Sequence, residues 1–265
     1  MAGILIRKIV RRLVKRPFPR QWIAMTYRDH LTTDIGEYEL PRIGKYIDPS
    51  RLAVDIGGHE GVYSCHFLKR AKGVVVFEAN PAAAKEIGER LPGLRVENIA
   101  LSSEEGTAIL RIPRGSAIHS LTGCATIEPH NDLANVEADK VEVPMRTLDS
   151  YALDNVGFVK IDVEGHEESV LKGGRNLIAT SRPVLMLEIE ERHNKGALAR
   201  ISAALAELGY QGFFFKPETG TAEWPLRPLA EFDVRIHQTD ELIHQLSTTP
   251  RRRVPYVNNF IFLPQ

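Results

Sequence analysis

Apolar positions recur along the chain with two periods. Near the start, Ile6, Ile9, Val10, Leu13 and Val14 fall within one arc at 100° per residue. Arg7, Lys8, Arg11, Arg12, Lys15 and Arg16 fill the other side, which predicts a basic amphipathic helix stopped by Pro17 and Pro19. Residues 21–50 carry little periodic signal and predict one or two short helices. From Arg51 onward, short apolar runs alternate with helical patterns. Strands are predicted over 51–57, 73–78 and 94–101, with helices over 61–71 and 81–91 between them. Pro81 sits at the first turn of its helix, where proline is favoured. This β-α-β-α-β order implies a parallel sheet with right-handed crossovers.

The rhythm breaks over 102–150. Short strands are predicted at 107–112 and 141–145, around a polar stretch, 114–140, of a length that is usually functional or mobile. Alternation resumes with strands at 157–163, 183–189, 210–215 and 259–263, and helices at 166–179 and 197–208. The expectation is one α/β domain over 48–265, with a doubly wound, mostly parallel, seven-stranded sheet. Residues 1–47 form an N-terminal helical extension to it.

Charge sharpens this division. The chain has 34 basic and 34 acidic residues, but residues 1–20 hold seven basic and no acidic ones. The remainder is left with 27 basic against 34 acidic, a net of −7. An acidic body is a poor nucleic-acid binder. The leading helix has three readings: docking on the body, contact with an anionic membrane surface, or a mitochondrial presequence, which its lack of serine disfavours. No apolar run approaches a membrane span, and no h-region of a secretory signal is present. The expected location is the cytoplasm, with peripheral membrane contact through residues 4–16. Cys65 and Cys124 are too few for a zinc site or a disulfide framework.

Chemistry concentrates at strand ends. The first strand runs into Asp55-Ile56-Gly57-Gly58-His59-Glu60-Gly61. Glycines there permit a sharp turn and close approach of a ligand at the carboxyl edge of the sheet. The spacing departs from the dinucleotide fingerprint, and Asp55 suits a cationic ligand better than a pyrophosphate. Glu78 ends the second strand, 21 positions after Gly57, where an acid accepts hydrogen bonds from ribose hydroxyls. Together these specify an adenosine ligand without a diphosphate, the profile of S-adenosylmethionine. In the strand at 157–163, period-two alternation places Lys160, Asp162 and Glu164 on one face. A polar row in a buried strand either pairs internally or lines a cleft. Glu188 and Glu190 repeat the theme on the next strand.

Four blocks resemble the FkbM-type methyltransferases. They are Val54-Asp55-Ile56-Gly57-Gly58-His59-Glu60-Gly61, Phe77-Glu78-Ala79-Asn80-Pro81, Asn98-Ile99-Ala100-Leu101, and Val159-Lys160-Ile161-Asp162-Val163-Glu164-Gly165-His166-Glu167 with Val170-Leu171-Lys172-Gly173-Gly174 after it. The resemblance covers 51–265. It departs at Ala79-Asn80-Pro81, where the family has Glu-Pro directly after the strand. It implies a Rossmann-like class I methyltransferase fold, S-adenosylmethionine as cofactor, and O-methylation of a sugar, glycan or related hydroxyl. The expected cofactor residues are Asp55, Gly57, Gly58 and Gly61 at the methionine end, Glu78 at the ribose and Asn98 at the adenine edge. His166, Asp162 and Glu164 are the catalytic candidates, with His166 as general base; metal dependence is open. A nicotinamide-dependent oxidoreductase and a non-catalytic adenosine-binding protein are the alternatives.

Overall fold

The computed structural model describes residues 14–114, 125–128, 137–218 and 223–265. Helix α1 spans Pro19–Thr32. The repeating unit follows as β1 Leu52–Ile56, α2 Val62–Leu68, β2 Gly73–Phe77, α3 Pro81–Arg90 and β3 Arg95–Glu97. Then come β4 Ala100–Leu101, β5 Gly106–Pro113 and β6 Ala138–Arg146. The second half runs β7 Val156–Ile161, α4 Glu167–Gly173, α5 Arg175–Ser181, β8 Val184–Glu188, α6 Ala197–Glu207 and β9 Tyr210–Phe215. It closes with β10 Leu226–Pro228, the short helices α7 Val234–His237 and α8 Asp240–Leu246, and β11 Asn259–Pro264.

The main sheet has the order β10-β9-β11-β8-β7-β1-β2-β3. Strands β8, β7, β1, β2 and β3 are parallel; β11 runs antiparallel between β8 and β9. The chain winds outward from β1 to β3, then returns to β7 on the other side of β1. That switch point opens a crevice at the carboxyl ends of β1 and β7. The seven predicted strands are all present, and β10 adds an eighth, antiparallel to β9 at the edge.

Burial on both faces explains the uninterrupted apolar runs. Along β2, Val75 and Phe77 pack on one side with Val54, Ile56 and Val159. Val74 and Val76 pack on the other with Ala53, Phe67 and Phe158.

Three elements differ from the sequence expectation. The strand predicted over 94–101 bends at Asn98, so β3 stays in the main sheet while β4 joins β6 and β5 in a second, three-stranded sheet. The helix predicted over 166–179 breaks into α4 and α5 at Gly174. There the chain presses on its neighbours: a Cβ on Gly173 would lie 1.9 Å from the Ser102 carbonyl oxygen. The two short strands predicted around the polar stretch are β5 and β6, longer than expected and paired antiparallel from Gly106↔Met145 to Pro113↔Ala138.

Described residues before 48 pack on the α/β domain. Helix α1 buries Trp22, Ile23 and Tyr27 against Val62, Cys65 and Leu91. Tyr38, Ile43 and Ile47 belong to the core on one face of the sheet, and Tyr38 stacks on Trp224 at 4.3 Å. Among the described residues, no helix is long and apolar enough to cross a membrane. Most of the basic amphipathic segment, up to Leu13, lies outside the described residues.

Candidate active site

The carboxyl ends of β2, β1, β7 and β8 succeed one another along one edge of the sheet. Their spacing of about 4.8 Å places the β2 and β8 ends roughly 14 Å apart. A cavity of about 530 Å³ runs along this edge from Glu78 through Gly57 and Asp162 to Glu188. A second, of about 300 Å³, shares Gly57, His59, Asp162, Glu37 and Arg251 with it and reaches Asp55, Tyr63 and Lys160.

The turn after β1 is built on close approach. Gly57 has φ +82°, and a Cβ there would lie 1.8 Å from the carbonyl oxygen of Asp162. Only glycine lets β1 and β7 meet at this point. Gly58 packs on Val76 and Ile87, and Gly61, at φ +83°, starts α2. Gly57, Gly58, His59 and Asp55 line the smaller cavity.

Asp55 is fully buried. Its Oδ2 accepts the Ser64 hydroxyl, while Oδ1 has no hydrogen-bond partner among the described residues. Burial pushes its pKa up, against the pull of Lys160 and Ser64. An orphaned buried acceptor beside a glycine turn is a place for a cationic ligand group.

Glu78 follows β2 and faces the larger cavity. Its Oε2 accepts the His59 amide and its Oε1 the Asn80 amide, each at 2.8 Å, so it ties two loops together. Burial raises its pKa and these two amides oppose the rise. Each carboxylate oxygen still has a second lone pair for a ribose hydroxyl. Beside it, Ala79, Ala83, Ile99, Leu101, Leu110 and Ile127 make an apolar wall suited to a flat heteroaromatic ring.

Asn98 does not reach this wall. Its side-chain amide donates to the carbonyls of Glu78 and Ala79 at 2.8 and 3.0 Å. Asn98 therefore holds the loop that carries Glu78, and Ile99 and its neighbours line the cavity there.

The polar row expected on the strand at 157–163 is divided. Strand β7 ends at Ile161, so of the three only Lys160 lies in the strand, with Asp162 just past its end and Glu164 in the loop beyond. Lys160, 2% exposed, donates to Asp162 at 2.8 Å. Burial alone would lower its pKa, but Asp162 and Asp55 outweigh that and raise it. Glu164 lies past the strand, at φ +54°, and its Oε2 is 2.9 Å from His193 Nε2. Burial raises the Glu164 pKa, and His193 opposes the rise.

His166 lines the cavity with both ring nitrogens engaged. Nε2 is 2.9 Å from the Ser102 hydroxyl and Nδ1 is 3.1 Å from Glu128. The structure thus brings Asp162, Glu164 and His166 to one cavity but ties each to a different partner. Among the described residues, no group of three or more His, Cys, Asp or Glu is arranged to hold a metal ion.

Several lining residues carried no signal in the sequence. His30 comes from the last turn of α1, Ile35 and Glu37 from the weakly patterned segment after it, and Arg251 and Asn258 from the turn before β11. The three-arginine run at 251–253 was the one local hint, and nothing in it singles out Arg251.

The parts match S-adenosylmethionine: an acid and an apolar wall for adenosine, a glycine cradle for the link, and an unmet buried acceptor for a cationic end. A family model of the methyltransferase FkbM domain matches residues 55–212. No curated protein sequence matches the chain. Among solved structures, the methyltransferase FkbM from Methylobacillus flagellatus KT is 15% identical, with a TM-score of 0.48, over 81% of this chain and 44% of its own. This chain therefore spans less than half of that protein. An rRNA methylase from Streptococcus thermophilus is 14% identical, with a TM-score of 0.38, over 71% of this chain and 90% of its own. M. capricolum TrmK, solved with S-adenosyl-homocysteine, is 10% identical, with a TM-score of 0.37, over 69% of this chain and 65% of its own. The family match covers more than half of the chain, so the chain belongs to the FkbM methyltransferase family, and its α/β domain is a class I, S-adenosylmethionine-dependent methyltransferase domain.

Proposed function

We propose that this protein transfers a methyl group from S-adenosylmethionine to a hydroxyl of a sugar, glycan or related small molecule. One observation carries the reading: a single cavity joins an adenosine-type end at Glu78 to a polar end at Glu164, Glu188 and Glu190. The second end is rich in acceptors, which suits a neutral, hydroxyl-bearing molecule.

The bound cofactor supplies a methyl carbon already activated by a positive sulfur, so alignment does much of the catalytic work. Glu78 orients the ribose. Asp55 and the Gly57–Gly61 turn hold the amino-acid end. Asp162, fixed by Lys160, sits where the two cavities meet.

A hydroxyl acceptor also needs a group to take its proton. His166 headed the candidates in the sequence, but its ring nitrogens are engaged by Ser102 and Glu128. Glu164 is the group we assign to the proton. It faces the cavity on the β8 side, and burial raises its pKa, which makes its carboxylate a stronger base than an exposed one. His166 then serves to fasten the β4 end and the 125–128 segment to the β7 loop.

Calorimetric titration tests the cofactor assignment. The wild type should bind S-adenosylhomocysteine and not NAD. Glu78→Ala removes charge-assisted hydrogen bonds worth about 1.5–3 kcal/mol, so affinity should fall roughly ten- to a hundredfold. A folded Glu78→Ala variant with unchanged affinity would falsify the ribose assignment. A methyl-transfer screen over neutral glycosides tests the acceptor class.

A further inference from the structure

The smaller cavity carries charges of both signs, and most of them are matched locally. Asp55 takes the Ser64 hydroxyl, Asp162 takes Lys160, and Glu37 takes the Tyr63 hydroxyl. Arg251 is different. It lies in the short turn Arg251–Arg253, beyond the matched domain, yet it lines both cavities. Its guanidinium donates to the Tyr256 carbonyl at 3.3 Å and to the Asn258 side-chain oxygen, both neutral. Among the described residues, no carboxylate oxygen lies within 4.0 Å of it. Glu37, Glu39, Glu188 and Glu190 act on it from farther away and keep it protonated. A guanidinium offers five N–H donors in a planar fork that fits a carboxylate. Opposite in sign, Asp55 Oδ1 is buried without a partner in the same cavity.

An unmet acceptor and a guanidinium with donors in reserve, on the walls of one small cavity, match a zwitterion. We propose that Arg251 binds the carboxylate of the cofactor's amino-acid end, with the ammonium directed to Asp55. The turn before β11 thereby completes a cofactor site that the matched domain leaves open. This rests on the S-adenosylmethionine reading above. An acidic group on the acceptor has the same chemistry, so the test separates the two sources.

The probes are S-adenosylhomocysteine and its decarboxylated analogue, titrated calorimetrically into the full chain. The wild type should bind the carboxylate-bearing ligand about ten- to a hundredfold more tightly. In Arg251→Gln that ratio should fall to near one, through loss of S-adenosylhomocysteine affinity alone. Arg251→Lys keeps the charge without the fork and should give an intermediate ratio. Equal binding of the two ligands by wild type overturns the assignment while the cofactor reading stands, and it moves the anion site to the acceptor. A wild-type ratio preserved in Arg251→Gln overturns it as well. Binding of neither ligand by wild type defeats the cofactor reading itself. Should Arg251→Gln not fold, the wild-type comparison and Arg251→Lys decide, with an unchanged ratio in the lysine variant counting against the proposal.

Discussion

Glu164 adopts the left-handed backbone region, which is strained for a residue with a Cβ by about 1–3 kcal/mol. The surroundings fix it there: its carbonyl accepts the Thr126 hydroxyl and its carboxylate meets His193. Such strain is tolerated where it aims a side chain. For an acid whose pKa is raised, the ionised, proton-accepting form grows as pH rises. Turnover should therefore climb through the Glu164 pKa, which burial raises from its ordinary value. Glu164→Gln should lose about 10²–10⁴ in rate and the acid limb, with S-adenosylhomocysteine affinity intact. Rates measured against pH with an acceptor from the glycoside screen decide this. Glu167, two residues past Gly165, shows a different consequence of burial. Its carboxyl pKa is pushed up to about 7 by burial, against hydrogen bonds from its own amide and that of Gly165. Folded, it keeps its proton until about pH 7; unfolded, it releases it near 4.5. Its contribution to stability is thus full below about pH 4.5 and is lost as pH rises to 7. The size is on the order of 3 kcal/mol. Urea midpoints at pH 5 and pH 8 should differ more in wild type than in Glu167→Gln.

Helix α1 shows how an element with a faint pattern becomes part of the body. Its buried face is Trp22, Ile23, Thr26, Tyr27 and Asp29. Those positions have helical spacing, but two of the five are polar, so the apolar stripe is diluted. The missing information is tertiary: Trp22 is covered by the Arg90 guanidinium at 4.2 Å, and Tyr27 bonds to the buried His66. Trp22→Ala should destabilise the whole chain by about 3–5 kcal/mol in a single unfolding transition. Chemical denaturation followed by circular dichroism is the check. A body transition unmoved by the change would mean that α1 is an independent extension. The break between α4 and α5 has a similar origin. Gly173-Gly174 is visible in the sequence, but the Ser102 carbonyl that requires it comes from another strand.

At the scale of the molecule, the basic leading segment joins the body beside the cofactor turn. Val14 packs with Trp22 and its neighbours, and Lys15 lies 3.5 Å from Glu60 and 3.6 Å from Glu86. These exposed pairs contribute little to stability, but they mark where the segment meets the body. Membrane contact through residues 4–16 is a proposal that rests on the amphipathic pattern in the sequence, where Arg7, Lys8, Arg11 and Arg12 lie opposite Ile6, Ile9, Val10 and Leu13. Anionic vesicles should retain the full chain and release it in salt, while a chain lacking residues 1–13 should pass through and still bind S-adenosylhomocysteine. Equal retention of the two would remove the membrane from the account.

The alternation of apolar runs, the glycine turn and the acid 21 positions after it determined the fold class, the cofactor and the strand ends that matter. Those are local properties: period, backbone permissiveness and charge at a fixed offset. Tertiary structure decided the partners. Asp162 and Glu164 look equivalent along the chain, yet one ends on Lys160, two residues before it, and the other on His193 from the loop after β8. Asn98, expected at the adenine edge, donates its side-chain amide to the carbonyls of the Glu78 loop. Glu37 and Arg251, more than two hundred positions apart, line the same two cavities. No period along the chain encodes such a meeting; it follows from the sheet order, which brings the segment after α1 and the turn before β11 to the mouth of one crevice.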